Sequence, residues 1–557
     1  MRQERMSKPQ SAISKSTENL GDVLLQDPDT KVIILIPHPS NDPNDPLNWS
    51  RAYKFYVAGL SCYVVFLTLF LSGGPAITTV ISAEAFFGPN PKLLEKHVAK
   101  ASYLFTTSAL TIGVGNLFWM PLVLKYGRRT IYMVAFTCYL ATAIWSAVAK
   151  SYTNELIARI FLGFSAGFAD CLAPLTISDL FFLHERGSMM VWYTLSNQAG
   201  VTFGLVISGL VTMHHSWRVI YHIGIALVGS CLLLIVFTMP ETYYVRKRPS
   251  DFGSAILKSG DKNPRKGTHD HIEMSLPDTD VPPRKTYSQR HPIFSRSLTK
   301  ESYLTLFIRP VVLFVLPPVL WTTLVFSVVL GFYVALTSNA PLAFKTVYGF
   351  QTYQTGLCFT SSIIGGLIGI AFGGILSDKV ANYFTARNGG IREPEMRLPA
   401  LIITIILGPL SLILYGVGLQ EKLHWIVPTL SFGICEHINF AILLCWLTFL
   451  GVNFVIVQAT TVTLVYAIDS YRPIAGEVIV TQMAFKAAFG FLLFFYTNPW
   501  IAKDGFLTST GAMAGILGAV ILGGIPMYIW GKQIRHSTLR WRVMDIVRWN
   551  EDRETGE

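Results

Sequence analysis

Arg159 and Asp170 stand eleven residues apart in RIFLGFSAGFADCLAPLTISDLFF, where the next charge after Asp170 is Asp179. On a helix of 3.6 residues per turn, eleven steps bring a side chain back to nearly the same face. One stripe therefore carries a cation, the small residues Gly163, Ala166 and Gly167, and an acid. A charge near the middle of a bilayer costs on the order of 3 kcal/mol even on the lenient insertion scale, so it faces a cavity or a partner. Three chemistries fit Asp170: binding of a proton or cation, a structural hydrogen-bonded acid, or a position at a span end. Arg159 suits a structural ion pair with a neighbouring span.

Lys486, in GEVIVTQMAFKAAFGFLLFF, is a second deep charge. Glu477 precedes it by nine residues and lies on the opposite helical face, so its carboxylate partner must come from another span. Asn197, Asn339 and Asn453 are amides in apolar runs, suited to bridging helices or lining a polar substrate cavity. Aromatics such as Tyr63, Trp119 and Tyr193 read as packing or interface anchors, with Tyr63 also a candidate to stack on substrate. Gly200, Gly204 and Gly209 keep one helix face small, which lets another helix approach. Asp179, beside His184, Glu185 and Arg186, suits a surface turn, and Asp469 with Arg472 suits closure of a span end.

An intramembrane enzyme would recruit Asp170, His184 and Glu185, but the histidines are scattered through loops, and catalysis is not expected. There is no Gly-x-x-x-x-Gly-Lys-[Ser/Thr] loop, so ATP is not the expected energy source. The seven cysteines sit in apolar runs without zinc spacing, and neither cofactor nor metal is expected. A sensor that moves no solute is a further rival, which proton flux in reconstituted vesicles would exclude.

The frame that positions these groups is a membrane frame. The chain has 557 residues, of which 51% are hydrophobic and 14% charged, with a mean hydropathy of +0.44. Continuous apolar runs of about 20 residues fit helical spans, roughly a dozen of them, and do not fit the alternation of a barrel. The runs are Phe55 to Ile77, Ala99 to Leu124, Thr130 to Ala149, Asn154 to Ser178, Ser188 to Thr212 and Trp217 to Pro240. After a polar link come Val311 to Asn339, Thr355 to Leu376, Leu398 to Leu419, His424 to Ile468, Gly476 to Pro499 and Gly511 to Trp530. The +11 charge sits in alternate short loops and tails without interleaved aromatics, which signals topology and not nucleic acid. Both termini and the link are expected in the cytoplasm, and no cleavable signal is expected before the first span. The expected organisation is 1–54 as an amino-terminal segment, 55–240 as one six-helix bundle, 241–309 as link, 310–531 as a second bundle and 532–557 as tail.

An even number of crossings allows only one span in the long run from His424 to Ile468. The surplus, around Gly433 to Leu450, reads as a translated, unremoved intron of about 18 residues. A transcript that retains the segment would refute this. Glu436 and His437 within it are left out of the candidate site.

The motifs, in order, are DPNDPLNWS; Gly115-Asn116, Trp119, Pro121-Leu122 and Tyr126-Gly127-Arg128-Arg129; Arg159 and Gly163; SDLFFLHERG; Trp217-Arg218; and Pro240-Glu241-Thr242. They continue with ARNGGIREPEMRLP, YAIDSYRP and Gly531-Lys532. With them the chain resembles the fungal drug:proton antiporter branch of the major facilitator superfamily from Asp42 to Arg540. The resemblance implies an all-α membrane protein, a major facilitator fold of two six-helix bundles related by a pseudo-two-fold axis, and alternating access. It implies proton-coupled efflux of a drug or metabolite from a monomer in the plasma membrane, with protons, a small-molecule substrate and the lipid bilayer as partners. Uptake of an organic cation such as a polyamine is the alternative.

By the same resemblance Arg159 would take part in proton transfer alongside Asp170, and the Gly127-Arg128-Arg129 loop would latch the halves on the cytoplasmic side. Leu124 stands where that loop usually has an acid. Gly374-Ile-Leu-Ser-Asp378-Lys379 fits the latch pattern in the second half. The antiporter signature has Pro after its second glycine, and this chain has Leu205.

Overall fold

A computed structural model describes residues 23–24, 40, 42–89, 93–244, 283–292, 301–370, 375–389, 391–420, 452–471, 474–538 and 540–547. Among them, eleven helices are long and apolar enough to cross a membrane. The first six are α1, Arg51–Gly73; α2, Leu94–Tyr126; α3, Arg128–Val148; α4, Tyr152–Leu180; α5, Leu183–Val211; and α6, Val219–Thr238. The other five are α7, Pro317–Tyr348; α9, Ile402–Gln420; α10, Val452–Ser470; α11, Ala475–Asp504; and α12, Phe506–Leu522, and between α7 and α9 lies the shorter α8, Thr360–Ile370, which is not among the eleven.

Departures from the sequence reading have local causes. The span around α8 is interrupted at Phe359, between Thr352–Cys358 and α8, three residues after Gly356, which weakens a helix. The seventh span starts at Pro317 and not at Val311, because Pro317 and Pro318 suit a first turn where the amide is not needed. Tyr303–Leu313 forms a separate helix, so the end of the expected link is structured; Arg309 is buried there against Glu301 at 2.7 Å. The first span continues past Gly73 through a 3-10 turn, Gly74–Thr78, into Thr79–Phe87. Helix α12 is followed by Gly524–Thr538, which runs into the expected tail and is pinned where Arg535 donates to Glu395 at 2.9 and 2.8 Å. The presumed intron at Gly433 to Leu450, Arg472, and link residues 245–282 and 293–300 lie outside the described residues.

Burial follows a threefold periodicity. Helices α4 and α10 are enclosed along nearly their whole length, while α6 and the α12 region bury only one side. The outer helices expose Leu233, Phe237, Ile525 and Ile529, the expected surface when lipid is the solvent. Across the halves, α2 packs on α11 and α5 on α8 and Thr352–Cys358.

Gly200 and Gly204 are where α1 meets α5. A Cβ at Gly200 would lie 2.5 Å from the Phe66 carbonyl oxygen, and one at Gly204 would lie 2.5 Å from that of Phe70 and 2.8 Å from Gly74 Cα. Gly209 faces the other half, with Gly356 Cα 3.1 Å from such a Cβ. Gly204→Ala forces backbone apart and is expected to cost about 1–3 kcal/mol, read as a lowered melting temperature of the purified protein. An unchanged melting temperature would show that α1 can move aside freely.

Candidate functional site

Asp170 lies on α4, and Pro174, four residues later, has no N–H to offer the Asp170 carbonyl. The Tyr193 hydroxyl of α5 donates to that carbonyl instead, at 3.1 Å. The helix is thus opened and pinned at the residue that carries the charge. The carboxylate accepts from Lys486 Nζ of α11 at 3.0 Å and from Asn197 Nδ2 of α5 at 3.4 Å. Lys486 also sits 5.1 Å from the centre of the Phe326 ring of α7. Both charges are nearly sealed from solvent, with side-chain exposures of 4% for Asp170 and 10% for Lys486. One ion pair therefore joins the amino-terminal half to the carboxyl-terminal half at membrane depth.

The pair forms part of the wall of a cavity of about 120 Å³. Ser72, Asn197, Gln198, Tyr333 and Thr337 supply further polar groups, and Phe105, Ile112, Val201 and Leu330 supply apolar wall. The halves touch towards both ends of this cavity. On the side of the termini, Thr461 Oγ1 of α10 donates to Thr194 Oγ1 of α5 at 3.3 Å. On the other side, Gly209 meets Gly356, and Lys345 Nζ reaches Glu84 at 3.1 Å.

Arg159 belongs to a different network. Its Nε lies 3.3 Å from Glu155, one turn earlier on α4, and its guanidinium donates to the Tyr221 hydroxyl of α6. Its Nη1 reaches the carbonyls of Leu71 at 3.3 Å and Ser72 at 3.1 Å. Pro75 stands four residues after Leu71, so that carbonyl too has lost its helical donor. Both residues lie on α4, but eleven residues rise roughly 16 Å along a helix, and that puts Arg159 and Asp170 among different neighbours. They do not form one site.

Of the four residues expected to line the cavity, only Asn197 does so. Asn453 donates to Ser362 Oγ at 2.8 Å and bridges α10 to α8. Asn339 is buried in α7 away from the cavity wall, and Tyr63 stacks on Phe66 of its own helix. Sequence reasoning missed Gln198 as cavity wall and the pairings of Lys486 and Glu155. Two lone, opposite intramembrane charges, each in need of a partner, were the available signal for Asp170 and Lys486.

The sequence matches the Major Facilitator Superfamily profile over residues 60–469. The chain belongs to this superfamily. It is therefore a multi-pass membrane protein of a secondary-transporter family and not an enzyme. Its relatives include Protein HOL1 of Saccharomyces cerevisiae, 25% identical over 92% of each chain. Another is MFS transporter cpaT of Aspergillus oryzae, 28% identical over 90% of this chain and 91% of that one. Among solved structures, the proton:xylose symporter XylE bound to 6-bromo-6-deoxy-D-glucose superposes with a TM-score of 0.58 at 16% identity, over 86% of this chain and 96% of that one. The human organic anion transporter MFSD10 (TETRAN) gives 0.51 at 13% identity, over 85% and 99%. Both show the fold alone.

The paired halves of this superfamily chain repeat one charge arrangement at the end that carries the termini. In the first half, Arg128, at the start of α3, lies 3.2 Å from Asp179 at the end of α4. In the second, Arg397, in the 3-10 turn before α9, lies 3.5 Å from Asp469 at the end of α10. Asp469 has Arg397 as a described partner, and Arg472, which the sequence suggested, lies outside the described residues. Asp179 is likewise tied to Arg128 and accepts from Thr242 Oγ1 at 3.5 Å, and so it is more than a surface acid.

The latch expectation divides in two. Glu241 accepts from the backbone N–H groups of Arg128 at 3.0 Å and Arg129 at 3.2 Å, capping α3. Gly127 permits this with φ +86°, and a Cβ there would lie 2.5 Å from the Glu241 carboxylate. Arg129 donates to the carbonyls of Met239, Val236 and Pro292. All these bonds stay within the first half and the link, so this cluster braces its own half. Asp378 does cross: it holds Arg397 at 2.9 Å and accepts from Ser188 Oγ of α5 at 3.4 Å. A Cβ at Gly187 would lie 2.7 Å from its carboxylate. Lys379, the next residue, is exposed.

Proposed function

We propose that the protein is a proton-coupled exporter of a small organic molecule, a drug or metabolite, acting as a monomer in the plasma membrane with both termini in the cytoplasm. The observation that carries this reading is the Asp170–Lys486 pair, because it joins the two halves and borders the cavity at once. A proton taken up by Asp170 removes the charge that Lys486 is held to, and α4 and α11 are then free to part. Proton occupancy and the closure of one half on the other become linked, which is the requirement for coupled alternating access. Asn197 orients the carboxylate, Asp378 closes the cytoplasmic side on α5, and Arg159 holds α1, α4 and α6 together as the first half rocks.

Uptake of an organic cation such as a polyamine is a second reading, and one observation favours it. Asp170 is the only carboxylate among the described cavity residues, and a substrate ammonium group could take the place of Lys486 on it. Leu205, where the antiporter signature has Pro, is compatible with this reading.

One experiment separates the two. The protein is reconstituted in vesicles with a labelled compound, either spermidine or an apolar antifungal, at equal concentration on both sides, and the outside is made acid. Export coupling drives the label out of the lumen, whereas proton-coupled uptake concentrates it inside. Movement of label that ignores the pH difference in every case would sink proton coupling altogether.

A further inference from the structure

A second cavity, of about 740 Å³, opens at the termini end of the bundle between the start of α1, the end of α6 and link residues 283–292. Its cations are Arg284 and Arg290, beside the imidazole of His291, its aromatics include Trp49, Tyr53 and Tyr56, and no acid is among its described lining residues. The acids nearby are already engaged. Asp42 accepts from the Tyr244 hydroxyl at 3.0 Å, Asp45 from the Leu47 N–H at 3.0 Å, and Glu241 from the start of α3. Among the described residues neither Arg284 nor Arg290 has a carboxylate within ion-pair distance. His291 Nδ1 is 2.8 Å from the Tyr287 carbonyl, which leaves Nε2 for another partner.

The wall is fixed by bonds between distant parts of the chain. Asn44 Nδ2 donates to the Pro283 carbonyl at 3.1 Å, and the Lys285 N–H donates back to Asn44 Oδ1 at 2.8 Å. The Glu241 N–H donates to the Arg290 carbonyl at 3.2 Å, and the Tyr287 hydroxyl donates to the Phe237 carbonyl. The amino-terminal DPNDP turn thereby has a task, which is to hold the basic link segment over the ends of α1 and α6.

The rim decides the kind of ligand. Phe237 and Tyr56, 61% and 41% exposed, stand on the outer, lipid-facing side at the last turn of α6 and the first turns of α1. Headgroups lie at this level, where aromatic and basic residues gather. A soluble anion would use the cations but not the apolar rim. We propose that this cavity binds the phosphate-bearing headgroup of an anionic membrane lipid, with Arg284, Arg290 and His291 on the phosphate and the acyl chains leaving over Phe237.

The test titrates a fluorescent short-chain phosphatidylinositol 4-phosphate onto the full-length protein in detergent. Binding is expected to saturate, to weaken about fivefold in Arg284→Gln, and to weaken about 25-fold in Arg284→Gln/Arg290→Gln. Arg387→Gln, at the exposed end of the Ser377–Arg387 helix, should bind like the unaltered protein. Arg284 is exposed, so its replacement leaves the fold intact and the single variant is decisive on its own. Equal binding by the arginine variants would overturn the proposal. Displacement of the probe by inorganic phosphate as effectively as by the unlabelled lipid would also overturn it, since the site would then serve a free anion.

Discussion

Replacing Asp170 by Asn is expected to abolish concentrative transport while leaving exchange of substrate across the membrane intact. The amide has nearly the shape of the carboxylate and keeps its neighbour Asn197, but it cannot take up a proton or hold Lys486 by charge. A single coupled proton sustains about tenfold accumulation per pH unit, so a difference of about two units gives roughly 100-fold, and the variant should fall to unity. Counterflow, which needs only the loaded carrier to reorient, should continue. The variant also strands Lys486 as a buried charge, a loss of about 3–5 kcal/mol when one member of such a pair is removed. Asp170→Asn/Lys486→Gln removes both charges, and it should recover most of that stability and still fail to accumulate substrate. Restored stability together with restored accumulation would take Asp170 out of the coupling mechanism.

The parts of this arrangement that the sequence made legible are those governed by local rules. Each deep charge announced its need for a partner, and the small residues of Gly200, Gly204 and Gly209 announced a close helix contact that the structure contains. The partnership of Asp170 with Lys486 was not legible, because it depends on how α4 and α11 meet across the two halves. The amides failed as cavity markers for a related reason. Polarity in an apolar span requires a partner but does not say whether the partner is substrate, and Asn453 found Ser362. Two prolines carried more information than was taken from them. Pro75 and Pro174 each free the carbonyl four residues earlier, and those carbonyls are where Arg159 and Tyr193 bind. The interruption at Phe359 before α8 shows the opposite limit, since an apolar run long enough to span need not form one continuous helix.

Arg159→Ala is the second variant with a large expected effect, and its consequence falls first on stability. Arg159 is 3% exposed, and its guanidinium bonds Glu155, Tyr221 and the Leu71 and Ser72 carbonyls, so one side chain ties α4 to α1 and α6. Its loss leaves the Glu155 carboxylate buried without its counter-charge, which typically costs about 3–5 kcal/mol. It also leaves the Leu71 carbonyl with no donor, since Pro75 supplies none. Arg159→Lys keeps the charge but lacks the planar fork that reaches several acceptors, so an intermediate loss of about 1–3 kcal/mol is expected. The measurement is the melting temperature of each variant alongside pH-driven transport in vesicles. Glu155→Gln/Arg159→Met removes both charges and should regain most of the stability. If pH-driven transport returns with it, Arg159 is a brace whose charge the transport cycle does not use. If stability returns and transport does not, the Glu155–Arg159 pair is used in the cycle, with Glu155 as the group able to take up a proton, and coupling runs through two separated networks on α4 instead of through Asp170 alone.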